Sequence, residues 1–242
     1  TRNRLAELSM ATGLANAWNP NPNGAVWTMD IDGGLVYVGG SFTTIGGAAR
    51  NLIAAVNTTS SSVTSWNPDC DGDQVYSVVV DGNTVYVGGD FIRIGNEYRF
   101  GGIGAIETSS GFPTSWSPGA LGGTTRALAV NGNTVYVGGE FTELGGQTRN
   151  DLAAIDASTG LATSWDPHAT AKVLALSFSS SELYVGGEFG SVGGETRNNI
   201  AALDASTGRL TNWNPDINDR VHSMELGDNV IYAGGSFGYI GG

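Results

Sequence analysis

The chain has 242 residues, 38 of them Gly; charged residues make up 14%, and 11 basic against 23 acidic residues give a net charge of −12. Such a balance, with Lys172 as the single lysine, excludes the electrostatic footprint that nucleic acid or an anionic membrane surface requires. Gly interrupts every apolar run short of the ~18 residues of a spanning helix, and a 40% hydrophobic share excludes a disordered chain.

Taken in chain order, the predicted elements repeat. Leu5–Ser9 and Leu14–Trp18 read as two short strands closed by Asn19-Pro20. Val36-Tyr37-Val38-Gly39-Gly40 then returns as Val85–Gly89, Val135–Gly139, Leu183–Gly187 and Ile231–Gly235, at intervals of 48–50 residues. Trp18, Trp66, Trp116, Trp165 and Trp213 keep the same period, and only Trp27 falls outside their column. The second copy shows the plan. Val75–Val80 is an apolar, β-branched strand, and Asp81-Gly82-Asn83 is a hairpin turn into a second strand, Thr84–Val87. After a longer loop, Gly102–Glu107 forms a third strand. Thr108-Ser109-Ser110-Gly111 turns into a fourth that ends at Trp116, where Ser117-Pro118 breaks the ladder. No window supports a helix.

Four strands per copy, at a period in the range of propeller repeats, predict an all-β, five-bladed β-propeller of four antiparallel strands per blade over residues 1–242. Thr1-Arg2-Asn3-Arg4-Leu5 matches Thr148-Arg149-Asn150-Asp151-Leu152, and Tyr239-Ile240-Gly241-Gly242 matches Glu143-Leu144-Gly145-Gly146. The expectation is a last blade closed by N- and C-terminal segments: inner strands from Val221–Ala233, outer strands from Leu5–Ser9 and Leu14–Trp18. Closure of that kind removes free sheet edges.

The run Trp-Asn-Pro … Val-Tyr-Val-Gly-Gly-x-Phe-Thr-x-Ile-Gly-Gly-x-x-Arg-Asn-x-Ile-Ala-Ala resembles the bacterial delta-60 β-propeller repeat along essentially the whole chain. The resemblance implies a module of a large secreted or surface protein and carries over no catalytic residues. Two local departures are Arg99-Phe100-Gly101-Gly102, which has one extra residue, and Ser117-Pro118 in place of Asn-Pro.

Strand direction places the Trp-x-Pro segments and the long loops after Gly-Gly on one face, where binding residues usually sit. Arg2, Arg50, Arg99, Arg149 and Arg197 recur there. Their planar guanidiniums read as ties for loop carbonyls, with Asp90, Glu140 and Glu188 as carboxylate partners, or as a ring of anion or sugar sites. The five recurrent tryptophans read as packing between blades, with sugar stacking as the functional alternative. Trp27, Tyr76, Arg126, Leu174 and His222 share one variable position at the start of the first strands. Trp27, Tyr76, Arg126 and His222 are the ligand-binding candidates.

Enzyme readings find little support. The two histidines, His168 and His222, stand in no ligand pattern, and no nucleophile elbow occurs. Two carboxylates at one position of the first strand, Asp30 and Glu225, offer a remote glycosidase reading. Asp69, Asp71 and Asp73, spaced alternately around Cys70, suit a hard cation, so Ca²⁺ is the one cofactor considered. Cys70, alone, is a free thiol or an intermolecular bridge, and Asn57-Thr58-Thr59 is a sequon meaningful only after export. The sequence has no signal peptide and no initiator Met, which reads as a processed form or an excised module. The functional expectation is a non-catalytic extracellular or cell-surface structural or interaction module. Its partner is a protein or a further copy of itself; glycan binding is the alternative.

Overall fold

A computed structural model describes residues 2–241. These residues contain no helix, so none is long and apolar enough to cross a membrane. The chain divides into two compact units, Thr1–Ser115 and Trp116–Gly242.

In the first unit, Val26–Asp32, Leu35–Gly40 and Ile53–Asn57 form an antiparallel three-stranded sheet. The second repeat builds the same sheet from longer strands, Cys70–Asp81 and Thr84–Ile94, with Ile103–Glu107 on the far edge. Leu5 and Trp18 pack on the first repeat with Phe42, Ile45 and Val56. The second unit repeats the pattern twice, in Thr125–Asn131, Thr134–Gly139 and Leu152–Asp156, then in Val173–Ser179, Glu182–Gly187 and Ile200–Asp204. A two-stranded hairpin, Val221–Leu226 with Ile231–Gly235, follows. The central strand of every complete sheet is largely buried; the first-unit core joins Tyr37, Ile53 and Ala55 to Val75, Val85 and Ile106, and the second-unit core joins Tyr136, Leu152 and Ala154 to Val173, Leu183 and Val185.

The expected fourth strand is reduced to a single bridge in each complete repeat: Val56↔Val63, Ile106↔Pro113, Ile155↔Ala162 and Leu203↔Leu210. The reason is local. The backbone N–H of Trp66, Trp165 and Trp213 donates to the hydroxyl of the Thr two residues earlier, at 3.2 Å in each case. That turn draws the chain off the ladder before Pro ends it.

One bulge recurs. Every first strand slips register at the same place, between Val26 and Thr28, Val75 and Ser77, Thr125 and Ala127, Val173 and Ala175, and Val221 and Ser223. Opposite each bulge lies the Gly-Gly pair. A Cβ on its second glycine would lie 2.0–2.3 Å from the carbonyl oxygen before the bulge, as Gly40 does to Ala25 and Gly187 to Lys172. A Cβ on the first would strike a valine of the following repeat: Gly39 meets Val75 at 2.6 Å, Gly138 meets Val173 at 2.5 Å and Gly186 meets Val221 at 2.8 Å. The dipeptide thus serves the bulge and the packing of successive sheets at once.

Gly187→Ala should therefore cost about 1–3 kcal/mol through overpacking. Gly190→Ala, with nothing within 4 Å of the added carbon, should be neutral or slightly stabilising. Urea denaturation of the two variants checks the contrast; equal midpoints would remove the steric account of the pair.

Candidate functional site

The long loops and the Trp-x-Pro segments do share a face within each unit. The backbone N–H of Gly145 donates to the Pro118 carbonyl at 3.0 Å, and that of Gly241 donates to Pro215 at 2.8 Å. Gly46 and Gly193 donate in the same way to Pro20 and Pro167.

Each recurrent arginine is a clamp for that loop. Arg149 donates from Nη1 to the Thr148 carbonyl at 2.7 Å and from Nη2 to the Thr163 carbonyl at 2.6 Å. Arg50 does the same to Ala49 and Thr64, Arg99 to Tyr98 and Thr114, and Arg197 to Thr196 and Thr211. Arg2 donates to the Asn16 carbonyl. The fork spans two carbonyls that a lysine could reach only singly. The expected carboxylate partners lie elsewhere. Glu140 is held by Arg126 at 2.9 Å and Lys172 at 2.7 Å, and Glu188 by Arg220 at 3.3 Å. Partial burial raises the Glu140 carboxyl, but the hydrogen bonds from Lys172 and Arg126 outweigh it and leave the group below its ordinary value. Both pairs join one repeat to the next, because Lys172 and Arg220 precede the bulge of the following first strand.

The tryptophans also work between repeats. Trp18 Nε1 donates to the Asn57 carbonyl at 2.8 Å, Trp66 to Glu107 at 2.9 Å, Trp116 to Asp156 at 3.1 Å and Trp165 to Asp204 at 3.3 Å. These four indoles are buried. Trp66, Trp165 and Trp213 each meet the tyrosine of their own repeat edge-on, Tyr37, Tyr136 and Tyr184, with centroids 5.2–5.3 Å apart. Indoles placed in this way leave no open ring face for a sugar.

The variable candidates are the bulged residues themselves. Trp27, Tyr76, Arg126, Leu174 and His222 each occupy the slip between paired neighbours, which lifts them out of the ladder. Trp27 is 55% exposed. Arg126 is committed to Glu140, and His222 Nε2 lies 3.0 Å from the Ser236 hydroxyl.

Asp30 and Glu225 belong to different units. The Asp30 carboxylate accepts the backbone N–H of Val80 at 2.7 Å and of Ile31 at 2.8 Å, so it serves the joint between the first two repeats. Asp69, Asp71 and Asp73 do not converge: no group of three or more His, Cys, Asp or Glu able to hold a metal occurs among the described residues. Asp69 takes the left-handed conformation, φ 56°, and accepts from Asn51 at 2.7 Å; Asp71 pairs with Arg93 in the ladder; Asp73 sits in an irregularity. Cys70 is buried, and burial, with Asp69 beside it, pushes its thiol well above the ordinary range, so it is no exposed bridge-former.

Sequence reasoning missed a second repeated contact. Asn3 donates to Asn21, Asn51 to Asp69 and Asn198 to Asp216, while Asn150 meets His168 Nδ1 at 3.0 Å. The signal was present in the repeated Arg-Asn dipeptide. These contacts floor two clefts at the same repeat position. One, of about 400 Å³, is lined by Thr43, Asn51, Asp69, Asp71 and Arg93; the other, of about 350 Å³, by Thr142, Asn150, Asp151 and His168.

Residues 181–206 match the family described as "Domain of unknown function (DUF5122) beta-propeller", which supports a β-propeller family. A comparison with curated proteins finds no match. Among solved structures, the computationally designed Ika4 protein is similar at 16% identity and a TM-score of 0.52, over 76% of this chain and 93% of that one. The computationally designed Ika8 protein is similar at 16% and 0.51, over 89% and 70%. A chain from the Mitotic Checkpoint Complex is similar at 17% and 0.63, over 93% and 62%. At these identities the likeness is one of fold: the chain is all-β and propeller-like.

Two outcomes follow from the geometry. Arg149→Met should strand two carbonyls and lower stability by about 2–3 kcal/mol in urea denaturation, and Arg149→Lys should restore only part of that. Asp156 and Asp204 each accept hydrogen bonds from the Ser and Thr that follow them, which holds both carboxyls down at about 2. Their contribution is therefore present above the ordinary carboxylate value and lost as pH falls toward 2. An acid titration of thermal stability should show a loss between about pH 4 and pH 2, flattened in the Asp156→Asn/Asp204→Asn double variant.

Proposed function

We propose that the protein is a non-catalytic, extracellular or cell-surface interaction module of the delta-60 repeat kind, with five blades and a capacity for self-association. The carrying observation is the division of labour among its side chains. The repeated arginines, tryptophans and asparagines are committed to backbone groups and to neighbouring repeats. What differs from copy to copy, the bulged column and the loop tips, is what remains for recognition. Propeller folds offer such rims to partners through loops of unequal sequence.

In this reading residues 5–18 complete the fifth hairpin as its outer strands. Two features favour it. Tyr232 is 67% exposed, whereas its counterparts Tyr37 and Tyr136 are 2% and 3% exposed. In the first unit, Leu5, Trp18, Met29, Ile31 and Val36 line a shallow apolar groove, of about 200 Å³, open to solvent.

A second reading, glycan binding, is favoured by the recurrence of a polar cleft at one repeat position.

Light scattering on the native protein tests self-association: the expected molar mass exceeds 24.9 kDa and rises with concentration. A mass fixed near 24.9 kDa at all concentrations removes self-association. Tyr232→Ala tests the fifth blade. A buried ring should cost about 3–5 kcal/mol; no change in stability would mean that the hairpin stays open.

A further inference from the structure

We infer that the second repeat carries a binding platform for a neutral, all-equatorial saccharide, built from Tyr98, Phe100 and Arg93 beside the cleft of Asn51 and Asp71. This rests on the glycan reading above and gives it a place and a ligand class.

The platform departs from the repeat. The small hairpin in the long loop pairs Thr44 with Ala49 in the first repeat, Glu143 with Thr148 in the third and Ser191 with Thr196 in the fourth. In the second repeat the same rung is Arg93 with Tyr98. The guanidinium lies 4.1 Å from the Tyr98 ring centroid and also donates to its hydroxyl. Phe100 stands where the other copies place the asparagine that bonds across to the next segment. That position gives up a hydrogen-bonding carboxamide for a phenyl ring 65% exposed to water. Tyr98 and Phe100 stack with their planes 15° apart and centroids 6.3 Å apart. Neither ring serves the core.

The support beneath is an extended two-stranded ladder. Strands Cys70–Asp81 and Thr84–Ile94 are the longest in the chain, and their extra length reaches the loop, where Cys70 pairs with Ile94 and Asp71 with Arg93. Arg93 therefore faces two ways: it lines the polar cleft and it covers Tyr98.

The ligand class follows from the chemistry. Arg93 covers one face of Tyr98, so the ring surface open to a ligand is that of Phe100 with the part of Tyr98 that Arg93 leaves uncovered; a flat aromatic surface of this kind suits the C–H face of a pyranose whose hydroxyls are all equatorial. The cleft offers the acceptors and donors, Asp71, Asn51, Thr43 and Arg93, that such hydroxyls need. Asp69 and Asp71 in that cleft, on a chain of net charge −12, disfavour sialylated or uronic sugars.

Cellotetraose is the probe, read by saturation-transfer NMR and calorimetry on the full chain. The expected result is binding by the wild type and a loss of about tenfold in the Tyr98→Ala/Phe100→Ala variant. Both rings are exposed, so that variant should keep its fold, checked by its urea midpoint. Wild-type binding that survives the double substitution overturns this site and leaves the glycan reading standing. Binding lost instead in Asn150→Ala/His168→Ala moves it to the other cleft and overturns the second-repeat assignment. No saturation transfer to the wild type at millimolar cellotetraose overturns the platform as a β-glucan site; failure with neutral saccharides at large removes the glycan reading too. A double variant with unchanged sugar affinity but altered molar mass makes the patch a protein contact and also overturns the proposal.

Discussion

Successive sheets within each unit approach so closely that no side chain fits at two consecutive positions of the second strand. A valine from the next first strand fills the space over one glycine, and the carbonyl that opens the bulge fills the space over the other. From this contact the rest follows. The bulge swings one residue of every first strand out of the ladder. Burial of the valine aligns the following sheet so that an indole N–H reaches its third-strand carbonyl. The carbonyl before the bulge accepts the N–H just after Gly-Gly, as Lys172 does from Glu188, and so fixes where the long loop departs. A carbon atom added here would disturb strand pairing and sheet packing together.

Electrostatics play a supporting part. Most ion pairs are half exposed and worth little singly. The Arg126–Glu140–Lys172 group differs in linking two repeats through one carboxylate with both oxygens engaged. The clamping arginines matter more, since loop carbonyls under a folded-back chain must be satisfied by something. Their guanidiniums donate to a carbonyl of each shortened fourth strand, at Thr64, Thr114, Thr163 and Thr211, so that the carbonyl is not left bare where the ladder is cut to one bridge.

Much of this was legible in the residues. The period, the first three strands of the complete copies with their turns, and the facing of loops toward the Trp-x-Pro segments could all be read from recurrence, because a repeated residue reports a repeated contact; the fourth strand could not, being a single bridge in each complete copy and at Leu8↔Ala15. The bulge could be read only from the Gly-Gly pairs, which allow close backbone approach or a bulge; periodicity alone predicts a regular ladder and is silent about one inserted residue. The ties of the arginines to loop carbonyls were legible, but their carboxylate partners were not, for a related reason. Opposite charges at fixed spacing suggest pairing, yet the carboxylates at Glu140 and Glu188 turn toward the next repeat. Asp30 looked like half of a catalytic pair, but its spacing could not reveal that the Val80 amide occupies it. Tyr98 and Phe100 were visible only as a break in the pattern at Arg99-Phe100-Gly101-Gly102, and a break has no template to say what replaces it.

The arginine clamps have a consequence for how the chain meets proteases. Trypsin-like proteases cut after arginine and lysine, and must draw the side chain into a pocket with the flanking chain extended. Here the chain has only 11 such residues. Arg50, Arg99, Arg149 and Arg197 hold their guanidiniums folded back against their own loops, and Lys172 is engaged by Glu140. The loops that a protease would otherwise nick first are thus locked by the residue it needs to recognise, so the fold hides its own cleavage signals in the segments most open to attack.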